Sequence, residues 1–218
     1  MSAVLQFCTE PCHLFTNHKT NIMASAAVAQ GCLQYTLPSP AAQAFHAWRK
    51  QWLQGLPVAL QKAVVHEPAP HITLLPECSS NKPVCVEAAS AAAAKQASME
   101  CSFGDVAVVG QAAAVVVVVA PLRADGLVGA FHDLFDDTSV NPLGESCRMF
   151  LRSDLATASN PRGFTPHVTV AWFAEEALAD LQALSDNTDL RVRVACAPFV
   201  LTDDQLEWHP LAARTEKA

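Results

Sequence analysis

The run Gly-Cys-Leu-Gln-Tyr-Thr-Leu at 31–37 mixes apolar and polar residues as a strand does, and Pro38 stops it. Ser39 is then placed to cap a helix reaching about Gly55, with Phe45, Trp48, Trp52 and Leu53 on one apolar stripe. Val64 to Pro76 reads as a second strand, and Pro83 to Gln96 as an alanine-rich helix suited to close packing on a sheet. Met99 to Val109 and Ala114 to Pro121 follow as two strands linked by Gly110. The order then recurs: a helix at Asp125–Phe135, a strand at Pro166–Phe173, a helix at Glu175–Leu184, and strands at Leu190–Leu201 and Gln205–Leu211. The stretch from Asp136 to Gly163 is rich in Ser, Asn, Pro and Gly and reads as an irregular loop, with a short strand near Met149–Arg152.

With Ala114–Pro121 opening a second copy, the halves align as strand, helix, strand, helix, strand, strand. The pattern predicts an α+β class and a bilobal duplicated fold: two antiparallel sheets with outer helices and a central cleft. The domain spans 31–212, with pseudo-repeats at about 31–110 and 114–212. Residues 1–30 read as a disordered N-terminal extension, in which Met23 fits an alternative translation start, and 213–218 as a tail.

Composition narrows the chemistry. Of 218 residues, 51 % are hydrophobic and 16 % charged, which is a globular balance. A formal charge of −7 argues against long nucleic acid as a partner, because such binding needs Lys/Arg patches and no basic run exceeds Arg49-Lys50. The eight cysteines lie mostly singly, which fits a reducing, cytoplasmic setting. Cys8, Cys12, His13 and His18 match no strong metal-ligand spacing, and no metal or other cofactor is expected. No apolar run approaches a membrane span, and P-loop, serine-elbow and His-Glu-x-x-His patterns are absent.

The candidate chemistry sits in two matching segments, Pro70-His71-Ile72-Thr73-Leu74 and Pro166-His167-Val168-Thr169-Val170. Residues two apart on a strand share a face, so each segment presents an imidazole beside a hydroxyl. Paired across a cleft, two histidines and two threonines suit acid/base chemistry on a phosphate. His-x-Thr motifs of this kind, one in each half of a duplicated α+β chain, resemble the 2H phosphoesterase superfamily. The resemblance covers about 31–212 and extends to Phe199–Leu206, which is similar to that family's closing hairpin. The layout is most like cyclic phosphodiesterases acting on nucleoside 2′,3′-cyclic or ADP-ribose 1″,2″-cyclic phosphates. It implies that His71 and His167 are general acid and base in an order left open, and that Thr73 and Thr169 hold the non-bridging oxygens. No metal takes part.

Family members often carry an aromatic residue just after the second motif, which here is Trp172, although strict alternation from His167 would turn it to the other face. Tyr35, Arg162 and Phe164 are further candidates for holding the phosphate or stacking on a base. The partner implied is a small cyclic-phosphate nucleotide or a short RNA end, bound by a monomer. Two rival readings are an RNA 3′-end exonuclease or 2′,5′-RNA ligase-like enzyme, and a non-catalytic module that binds a nucleotide or a protein.

Overall fold

The computed structural model describes residues 31–79, 81–112, 115–141, 156–186 and 193–210. The N-terminal extension with its Cys8–His18 group, the strand expected near Met149–Arg152 and the C-terminal tail lie outside the described residues. The elements are β1 (Gly31–Thr36), α1 (Ser39–Gly55), α2 (Val58–Lys62), β2 (Val64–His66), β3 (His71–Cys78), α3 (Lys82–Ala94), β4 (Glu100–Phe103) and β5 (Ala107–Ala112). They continue with β6 (Val115–Arg123), α4 (Asp125–Phe135), β7 (His167–Ala174), α5 (Leu178–Asp186), β8 (Phe199–Val200) and β9 (Leu206–Pro210).

Several boundaries depart from the sequence pattern for local reasons. Ser39 lies inside the first turn of α1 and does not cap it. Pro38 holds the cap position with no side-chain bond, and the Ser39 hydroxyl accepts from Gln43 Nε2 at 3.5 Å. The strand expected over Val64–Pro76 breaks at Glu67-Pro68-Ala69-Pro70, where two prolines supply no N–H for a ladder. The expected Met99–Val109 strand splits at Gly104–Val106, and Gly110 falls within β5 instead of joining two strands. Of the expected Leu190–Leu201 strand, only Phe199–Val200 forms a strand among the described residues, just past Pro198, with an isolated bridge from Arg193 to Asp105.

All the strand pairings are antiparallel, and they run β8-β4-β6-β7-β3-β1-β9, with β2 on β7 and β5 on β6. The two expected sheets therefore join in one hydrogen-bonded path, a curled antiparallel sheet in an α+β fold. The join between the two His-Thr strands is a single pair, Ile72 with Val168. On either side of it the order is symmetrical, β3 backed by β1 and β7 backed by β6.

One face of the sheet carries the core. Leu33, Tyr35, Ile72, Leu74, Val116, Val168, Val170 and Phe173 are buried there in one cluster with Phe45, Trp48 and Trp52 of α1 and Leu127 and Phe131 of α4. Trp52 meets Phe173 edge-on at 6.4 Å, so α1 covers the face opposite the two histidines. Helices α3 and α4 approach each other closely where α4 is bare. A Cβ on Gly126 would stand 1.8 Å from the Ser98 carbonyl oxygen, just beyond the end of α3. Among the described residues no helix is long and apolar enough to cross a membrane.

Candidate active site

Each histidine enters its strand through the same local device. His71 Nδ1 lies 2.9 Å from the Ala69 carbonyl, and His167 Nδ1 lies 3.0 Å from the Thr165 carbonyl. In both cases the acceptor belongs to the residue before the proline, which is held extended by the proline ring. A proton on Nδ1 donates to that carbonyl, so Nε2 carries the lone pair in the neutral ring. The two imidazoles therefore present the same nitrogen for proton transfer.

The seam fixes how the two motifs face each other. Extending the antiparallel alternation one step either side of Ile72–Val168 sets His71 opposite Thr169 and Thr73 opposite His167. The histidines are then diagonal neighbours, roughly 7–8 Å apart at their backbones, with a hydroxyl beside each. That span accommodates one phosphate between the rings. Among the described residues no group hydrogen-bonds the hydroxyls of Thr73 or Thr169.

A bulge follows each threonine. In β3, Leu75 pairs with Leu33 and Thr73 with the adjacent Gln34, so Leu74 is the extra residue. In β7, Ala171 pairs with Val118 and Thr169 with the adjacent Val119, so Val170 is the extra residue. A bulge of this kind shifts alternation by one position and re-aims the side chains beyond it. Val170 and Ala171 are both buried, and Trp172 emerges 40 % exposed on the face of His167 and Thr169. The indole meets the His66 ring edge-on at 5.3 Å.

The other proposed binding residues lie elsewhere. Tyr35 pairs with Ile72, points with it into the core and is 1 % exposed, and burial pushes its hydroxyl pKa up to about 12. Phe164 is buried against Phe131, rings parallel at 4.0 Å, and both its backbone groups bond the Asn160 side chain at 2.9 Å. Arg162 pairs with Asp136 and lies over the Phe135 ring at 4.1 Å, at the end of α4. These two residues pin the loop that delivers His167, and Gly163, at φ 64°, turns the chain between them. Gln34 and Thr36, opposite Thr73 and His71, share the histidine face instead, and the sequence reading passed over them.

The walls of the cleft differ. On the first-motif side β1 presents Gln34 and Thr36, whereas on the second β6 presents Val117, Val119 and Pro121 opposite Trp172, Thr169 and His167. Burial on that apolar side lowers the pKa of His167, the charge of His71 adds to the effect, and the Thr165 carbonyl opposes it. The pair thus combines one imidazole whose neutral form is favoured with a second close enough for its charge to act on the first. Among the described residues no group of three or more His, Cys, Asp or Glu side chains could hold a metal ion.

The family model described as the 2′-5′ RNA ligase superfamily matches residues 37–205, a span that contains both histidines, both threonines and Trp172. Searches of the curated proteins and of the solved structures returned no match.

Proposed function

The chain belongs to the 2′-5′ RNA ligase superfamily, a family of 2H phosphoesterases, and from that premise we propose that it hydrolyses a small 2′,3′- or 1″,2″-cyclic phosphate without a metal. The observation that carries the reading is the pair of identically tethered imidazoles in unequal walls. His167, held neutral, takes a proton from water at Nε2 as the water oxygen attacks phosphorus. The P–O bond to one ribose oxygen breaks, and His71 delivers its Nε2 proton to that oxygen. Exchange with solvent returns the proton from His167 to His71. Thr73 and Thr169 donate to the non-bridging oxygens as charge builds on them, and Trp172 offers its exposed face to the base.

The ligase superfamily match favours a second reading, on RNA ends. With the 5′-hydroxyl of another RNA end in place of water, the same quartet would join the ends through a 2′-5′ bond. The charge of −7 favours the small substrate.

The test is turnover of a 2′,3′-cyclic nucleotide in EDTA by the wild type, His71→Ala and His167→Ala. Turnover should survive chelation and fall on the order of 10²–10⁴-fold in each variant. The pH–rate profile should be bell-shaped. Its acid limb should lie below the ordinary imidazole range, because protonation of His167 is what abolishes the base. Wild-type inactivity on the cyclic nucleotide and on oligonucleotides with defined 3′ ends would leave the binding module as the better reading.

A further inference from the structure

The edge of β7 that meets the first half is paired in two separate places. Ile72 of β3 pairs with Val168, and His66 of β2 pairs with Trp172. The connection Glu67-Pro68-Ala69-Pro70 crosses the stretch between, and its prolines have no N–H to give the β7 carbonyls. One side chain fills that role. Arg49 of α1 donates from Nη1 to the Pro68 carbonyl at 2.7 Å and to the Val170 carbonyl at 3.4 Å. Its Nη2 lies 3.1 Å from His46 Nδ1, its Nε lies 3.4 Å from the Glu67 carboxylate, and its plane lies over Phe45 at 5.6 Å. The residue is 6 % exposed, so a full cation has been taken from water to occupy this position.

We infer that Arg49 is a positioning residue that sets the separation of the two catalytic motifs, an inference that rests on the phosphodiesterase reading. Between β3 and β7 the described residues give one backbone pair, and β2 pairs with β7 again only beyond the Glu67–Pro70 crossing. Pro68 immediately precedes Ala69, whose carbonyl orients His71. Val170 is the bulge residue that follows Thr169 and re-aims Trp172. A single guanidinium nitrogen, Nη1, therefore couples the loop that aims the first histidine to the bulge that places the second threonine. Lysine would keep the charge, but its point donor on a flexible stem cannot hold two carbonyls in one plane.

The experiment compares wild type with Arg49→Lys by steady-state kinetics and by NMR titration of the His167 ring. Among the described residues, the titratable neighbour acting on His167 is His71 from β3, while β6 gives Val119 and Pro121 and β7 gives Thr169. Arg49→Lys should lower kcat roughly 10–10²-fold, the scale of a misplacement of about 1 Å, with KM changed by no more than about twofold. His167 should titrate at higher pH than in the wild type, because a loosened seam admits water and distances His71. Trp52→Phe, which weakens α1 packing without touching the guanidinium, and Glu67→Gln, which leaves both carbonyl contacts, should keep the wild-type titration. If Arg49→Lys does not fold, Arg49→Gln carries the same expectations. Wild-type kcat with a wild-type His167 titration in the variant would overturn the inference. So would the same losses in Trp52→Phe at a matched melting temperature. If the wild type turns over no substrate, the phosphodiesterase reading fails on its own, and the titration still decides whether Arg49 sets the spacing.

Discussion

At His167 the adjoining strand offers Val119 and Pro121, whereas at His71 it offers Gln34 and Thr36. That contrast separates the roles of two side chains whose tethers are the same. The neutral form of His167 is favoured by burial, which suits the role of base proposed for it. Trp172 carries the residue-scale prediction. Stacking of a base on an aromatic ring contributes about 1–3 kcal/mol, so Trp172→Ala should raise KM about tenfold on a nucleoside 2′,3′-cyclic phosphate. The same variant should behave as wild type on ribose 2′,3′-cyclic phosphate, which has no base. Equal losses on both substrates would remove Trp172 from base recognition. The shared face of the four motif residues was legible because His-x-Thr on a strand is a local pattern. Tyr35 was not, although Leu33 and Leu37 are buried in phase with it and place it on the core face.

Helix α4 emerged from the sequence with the boundaries it has in the fold, Asp125–Phe135, because Leu127, Phe131 and Leu134 mark its stripe and Phe135 ends it. The bulges after Thr73 and Thr169 left no comparable trace. A bulge is defined by the residue opposite on another strand, so Val170 looks like any β-branched strand residue until β6 is laid beside it. The breaks at Pro68–Pro70 and Gly104–Val106 were visible as prolines and a glycine but were read through, since the apolar runs on both sides suggested continuity. At this scale the packing of α4 on the loop after α3 is the place to test. Gly126→Ala puts a methyl group 1.8 Å from a backbone oxygen, and a shift of α4 must relieve it, at a cost of about 1–3 kcal/mol. The urea midpoint should fall with the slope unchanged. A midpoint equal to wild type would mean that α4 and the Ser98 loop separate freely.

For the molecule as a whole, the formal charge bears on the size of substrate that the proposed function would take. A net charge of −7 disfavours association with a polyanion. We expect kcat/KM on 3′-cyclic-phosphate oligonucleotides not to rise with length, and rates between 50 and 200 mM salt to change little, unlike the ~10³–10⁵-fold loss of a protein making 6–10 phosphate contacts. A steep gain with length would favour the RNA-end reading. The same whole-chain view bears on how the molecule is made. β1 is flanked on one side by β3, from its own half, and on the other by β9, and 171 positions separate Tyr35 from its partner Leu206. Pairings this distant raise contact order and slow folding. On the ribosome, the outer edge of β1 stays open until β9 has emerged, so the first half waits on distant chain for its last pairing and a chaperone has an unpaired edge to shield.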